Sequence, residues 1–151
     1  MNNERAVADV SPSGQRAARL RGKDLHSAVA YALLHMDDVC ALADSPAAEL
    51  PFVTQYWPRE PVLFREGVGL ATALELIARS LLDRLPPANG GKVMFMRATL
   101  QGVALDHESV ASIARKHGRS REHWARTYWQ QTVALVANEL VTRSRSTRIS
   151  A

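Results

Sequence analysis

The chain has 151 residues, 46% of them hydrophobic, and a formal net charge of +4. That is apolar material for one compact domain or two small ones. The lone cysteine, Cys40, excludes an internal disulfide and a cysteine-rich zinc site. No apolar run reaches the roughly 18 residues of a membrane span, and the N-terminus lacks the hydrophobic core of a signal peptide. These features point to a soluble protein of a reducing, cytoplasmic compartment without a membrane partner.

Residues 1–23 are small, polar and basic, with Pro12 and Gly14 among them, and read as a disordered tail. A helix is expected from Asp24 to Ala43, because Leu25, Val29, Ala32, Leu33, Met36, Val39 and Cys40 keep helical spacing, with Asp24 as its cap. Within that pattern Cys40 reads as a buried, inert thiol. His26 and His35 on the same helix lack a third ligand and read as solvated or core-edge residues rather than a metal pair.

Residues 44–69 are punctured by Pro46, Pro51, Pro58 and Pro61 and closed by Gly67 and Gly69. This stretch fits an irregular segment or a short hairpin of Phe52–Tyr56 with Val62–Arg65. Its four aromatics, Phe52, Tyr56, Trp57 and Phe64, read as a lid on a small helical core, although aromatics interleaved with arginine also suit base stacking. A further helix, Leu70 to Leu85, buries Leu70, Leu74, Ile77, Leu81 and Leu85, flanked by Ala73, Ala78 and Leu82. Pro86-Pro87 stops it, and the PPANGG run is the best internal boundary. It divides a helical middle, 24–87, from a C-terminal region, 92–142, that precedes a basic tail, 143–151.

The C-terminal region carries the functional signal. Val110, Ile113, Ala114 and His117 recur on one helical face, Asp106 is available as a cap, and Gly118 comes next, where a left-handed residue ends a helix. Ser120 is the next natural N-cap, and a second helix is expected from Arg121 to Val141. On it Trp124, Tyr128, Gln131, Leu135 and Asn138 form one stripe, and Val133, Val136, Ala137 and Leu140 a neighbouring, more apolar one. Two helices joined at Gly118 with basic side chains around the turn have the layout of a helix-turn-helix. Charge distribution agrees: residues 97–151 hold nine Lys/Arg against four Asp/Glu, whereas residues 24–96 hold five against nine.

Ile113-Ala114, Gly118 and Ser120-Arg121-Glu122, with Arg97–Gly102 leading in, resemble the helix-turn-helix of sigma-factor region 4 and related bacterial regulators. The resemblance covers under a third of the chain. It implies a DNA reader with Arg121, Glu122 and Arg126 at the matching recognition-helix positions. Arg119, His117 and Trp124 depart from the pattern, standing where apolar or smaller residues usually sit. Nothing upstream resembles the promoter −10 reading region of a complete sigma factor.

The expectation is therefore a mainly α protein, a helical bundle with a C-terminal helix-turn-helix, that binds double-stranded DNA as a bacterial or phage-type transcriptional regulator. Arg121 and Arg126 are the expected groove contacts and His123 a DNA-facing donor. Arg115, Lys116, Arg119 and the tail residues Arg143, Arg145 and Arg148 are the expected phosphate contacts, with Ser120 and the amides behind it suited to a phosphate at the helix N-terminus. Pairing into a homodimer would read two half-sites, and the acidic middle would meet RNA polymerase or another regulator. No phosphate-cradling glycine loop, nucleophile elbow or complete acid–base set occurs, so neither catalysis nor a cofactor is expected. A helical protein-interaction module and a DNA-packaging or replication accessory protein are the alternatives.

Overall fold

The computed structural model describes residues 23–55, 62–86 and 91–150, with side chains described for all but 23, 62–64 and 147–150. The basic tail up to residue 22, the aromatics Tyr56 and Trp57, and most of the PPANGG run lie outside the described residues. Within them the protein is mainly α, with no strand. The helices are α1 (Lys23–Leu34), α2 (Val39–Ala43), α3 (Pro51–Thr54), α4 (Val62–Arg84), α5 (Gly91–Leu100), α6 (Val110–Lys116), α7 (Arg121–Trp124) and α8 (Gln130–Ser150). Two π turns, Gln101–Leu105 and Ala125–Trp129, come directly after α5 and α7.

The helix expected over Asp24–Ala43 is in fact two. Asp38 leaves the helical region (φ −129°, ψ 98°), and its carboxylate accepts from the amides of Cys40 and Ala41, starting α2 as a new helix. The restart turns α2 out of phase with α1, so Cys40 is exposed rather than buried. Leu25, Val29, Ala32, Leu33 and Met36 are buried as expected.

The expected hairpin is replaced by helical turns. Pro46 and Pro51 sit at first-turn positions, where a missing N–H costs nothing, so these prolines start helices instead of breaking them. Ser45 caps the first turn and donates from Oγ to the Ala28 carbonyl at 3.1 Å, tying it to α1. The helix expected from Leu70 begins at Val62, so Gly67 and Gly69 lie inside it rather than closing a loop. A Cβ on Gly67 would stand 2.3 Å from the Val39 carbonyl oxygen, and one on Gly69 2.8 Å from that of Val53. The lack of a side chain lets α4 press directly on α2 and α3. The stripe Leu70, Leu74, Ile77 and Leu81 with Ala73 and Ala78 is buried.

One core joins residues from Leu25 to Leu140, so the middle and C-terminal regions share a hydrophobic interior. Arg97 of α5 helps to lock them. Its guanidinium donates to the Leu82 and Leu85 carbonyls at 2.6 and 2.9 Å, meeting acceptors left open at the end of α4. Backbone angles on either side of the second π turn are helical (Trp124 φ −63°, ψ −42°; Gln130 φ −63°, ψ −39°), so α7 and α8 form one rod. The helix continues to Ser150, through the residues expected as a tail.

The π turn also corrects the expected stripe on this rod. A π turn takes in one more residue than an α turn, so every position downstream shifts phase by about one. The buried residues are accordingly Thr132, Val133, Val136, Ala137 and Leu140, while Gln131 and Asn138 are exposed. No helix among the described residues is long and apolar enough to cross a membrane.

Candidate nucleic-acid interface

The chain enters this region through Gly102, where a Cβ would stand 2.6 Å from Ile113 Cδ1, so α5 and its π turn press closely on α6. The expected Asp106 cap is corrected. Asp106 is still helical and its Oδ1 accepts from Gln101 Nε2, whereas Ser109 is extended and its Oγ accepts from the Ser112 amide at 3.1 Å. His107, between them, has φ 56°.

The turn after α6 uses few residues. The Ala114 carbonyl accepts from the amides of His117 and Arg119, and the Gly118 amide donates to the Arg115 carbonyl. Gly118 has φ +70°, the left-handed region that a side chain disfavours. Ser120 is extended, and its Oγ accepts from the His123 amide at 3.1 Å, starting α7 as expected.

An aromatic cluster fixes the two helices against α5. Trp124 is fully buried and donates from its indole N–H to Thr99 Oγ1 at 2.7 Å. The Thr99 hydroxyl itself donates to the Phe95 carbonyl, so all three groups are satisfied. The Phe95 ring centre lies 5.3, 5.1 and 5.0 Å from those of His117, Trp124 and Tyr128. His117 stacks on Trp124 with an interplanar angle of 22°. The Arg119 guanidinium lies over the Phe95 ring, 5.3 Å from its centre. His117, Arg119 and Trp124, the three residues that depart from the helix-turn-helix pattern, are thus parts of one assembly.

The candidate contact residues differ in how free they are. Arg115, Arg121, Glu122 and Arg126 are exposed, and none forms an ion pair among the described residues. Arg119 and Ser120 are exposed at the turn, Arg119 held over Phe95 and Ser120 engaged in its cap. Lys116 is exposed but pairs with Glu108. His123 is half-buried, edge-on to Tyr128. Arg143, expected to contact phosphate, is instead engaged internally. Its Nε donates to Glu139 at 2.8 Å and its Nη2 to Ser80 at 2.9 Å, while its guanidinium lies 5.8 Å from the centre of the Phe52 ring. Glu139 also pairs with Arg84 at 2.8 Å, and the Arg84 hydrogen bond leads the interactions that hold its carboxyl below the usual glutamate range. Arg145 is exposed, and the Arg148 side chain lies outside the described residues.

Two depressions border this surface. Arg126 lines a shallow groove with His26, Trp129, Gln130 and Gln131. Arg121 lines a cleft of about 320 Å³ between α1, the loop before α6 and the start of α7. Sequence spacing gives no sign of these polar neighbours, because they come together only when α1 packs on the final rod. Comparison of the chain with protein-family models, curated proteins and solved structures gave no match.

Proposed function

We propose that residues 106–141 act as a helix-turn-helix that binds double-stranded DNA, in a cytoplasmic transcriptional regulator of bacterial or phage type. The observation that carries this reading is the trio of exposed arginines, Arg115, Arg121 and Arg126, without ion-pair partners, around a turn held rigid by a buried aromatic cluster. Such unpaired cations favour a polyanion, and contacts to phosphate release counterions. Arg121 and Arg126 on the second helix are assigned to base edges, with Glu122 and His123 beside them. Arg115, Lys116 and Arg119 are assigned to phosphates, Lys116 after leaving Glu108. Ser120 is assigned to helix capping next to the backbone. Pairing of two copies would present two such helices to neighbouring half-sites, and RNA polymerase or another regulator is the protein partner this reading implies.

Selection of binding sites from a random duplex pool, with affinity measurements on the selected site, tests the assignment. Arg121→Ala is expected to relax preference at one base pair, at a cost of about 1–3 kcal/mol, whereas Arg115→Ala weakens all duplexes alike. Equal losses on every sequence from both changes would remove Arg121 from base reading.

A further inference from the structure

We propose that the cleft bounded by α1, the loop before α6 and α7 binds a small zwitterion with an apolar body, of which an α-amino acid is the simplest kind. Its volume of about 320 Å³ falls at the small end of the usual range for ligand sites, about 300–1,000 Å³. The lining is divided by depth. Leu33, Met36, Val103 and Val110 are buried and make an apolar floor, with half-buried Trp129 beside it.

Asp37, His107 and Arg121 line the same cleft and are exposed. None of the three side chains makes a hydrogen bond or ion pair among the described residues. A carboxylate and a guanidinium thus stand unpaired at the mouth of one apolar recess. The other acidic group of the lining, Glu108, is already paired with Lys116.

That arrangement selects among ligand classes. An uncharged apolar molecule would fill the floor and use neither charge. A simple carboxylic acid would pair with Arg121 but bring a like charge near Asp37. A molecule carrying both an ammonium and a carboxylate on an aliphatic or aromatic body satisfies Asp37, Arg121 and the floor together, and a carboxylate suits the forked donors of arginine.

Where the DNA-binding reading holds, and only there, the cleft gains a regulatory role. A ligand carboxylate on Arg121 would take that guanidinium from the duplex, so ligand and DNA would oppose each other's binding by the same factor.

The test is calorimetric titration of the full chain with L-leucine and with L-phenylalanine, without DNA, so that a failure of DNA binding does not affect it. A single saturable site for at least one of them is expected. Asp37→Asn and Arg121→Gln, both at exposed positions that leave the circular dichroism spectrum unchanged, should each weaken binding about tenfold or more, as for a lost hydrogen bond to a charged group. Leucinamide or phenylalaninamide, lacking the carboxylate, and 4-methylpentanoate or 3-phenylpropanoate, lacking the ammonium, should weaken it similarly. Filling the recess with Ala111→Phe should abolish it. No saturation by either amino acid at concentrations above about 1 mM, where binding free energy falls to about −4 kcal/mol, overturns the proposal. Undiminished affinity in both charge variants also overturns it.

Discussion

Where α4 passes α2 and α3, the contact is backbone against backbone, with Gly67 and Gly69 seated on the carbonyls of Val39 and Val53. Where α6 meets α7, large rings hold the contact instead, and Phe95, His117, Trp124 and Tyr128 fill the space between helices. The first region is bound to its surroundings at every level: Arg84, Glu139, Arg143 and Ser80 link α4 to α8, and Arg97 closes the end of α4. The second has an equally fixed interior but leaves Arg115, Arg121 and Arg126 without ion-pair partners outside it. Similar rigidity is thus reached in two ways, and only the second leaves charge available for a partner.

The contrast breaks most visibly at the ring cluster. Trp124→Ala should lower unfolding free energy by about 3–5 kcal/mol, because it opens a cavity and leaves the Thr99 hydroxyl without its donor. Chemical denaturation measures the loss, and a change below about 1 kcal/mol would show that the cluster does not hold the two helices. The glycine contact comes next: Gly67→Ala should cost about 1–3 kcal/mol or more, since a backbone oxygen occupies the site of the new methyl group.

Gly118 sharpens the contrast, because it is needed for its φ and not for space: a Cβ there meets nothing within 4 Å. Gly118→Ala should cost about 1–2 kcal/mol, and Gly118→Asn less, since asparagine tolerates the left-handed region. At Gly67 the order should reverse, with asparagine worse than alanine. The same order at both positions would mean that one mechanism governs both.

The smallest expected effect is at Glu139. Its carboxyl is held below the usual range, so its stabilising contribution is present in full above that range and is lost as pH falls through the lowered value. Glu139→Gln should therefore flatten the acid side of the stability–pH curve. A curve that is unchanged there would separate α8 from the Arg84 contact.

Much of this architecture is written in local sequence, and the parts that are not share a cause. The stripe of Leu70, Leu74, Ile77 and Leu81 is legible because helical spacing alone defines it. Gly118 and Ser120 are legible because a left-handed residue and a cap are local chemistry. The break at Asp38 is not, since apolar spacing runs on through Val39 and Cys40 as if one helix continued. Nor is the phase shift on the final rod, because a π turn adds a residue without changing composition. Gly67 and Gly69 look like loop residues until the carbonyls of Val39 and Val53 show why a helix needs them there. Around the candidate interface the cations stand out in the sequence, but which of them are free does not. Lys116 and Arg143 look like Arg115 and Arg126 until folding supplies Glu108 and Glu139.

The measurement that bears most directly on the proposed role of the second region is duplex affinity as a function of salt. If Arg115, Arg119, Arg121 and Arg126 all meet phosphates or groove edges, the logarithm of affinity should fall linearly with the logarithm of salt. Each phosphate neutralised contributes a slope of about −0.9, and Arg115→Ala should make the slope shallower by about that amount. No measurable duplex binding at low salt, or a binding curve insensitive to salt, would contradict a DNA-binding role for these arginines.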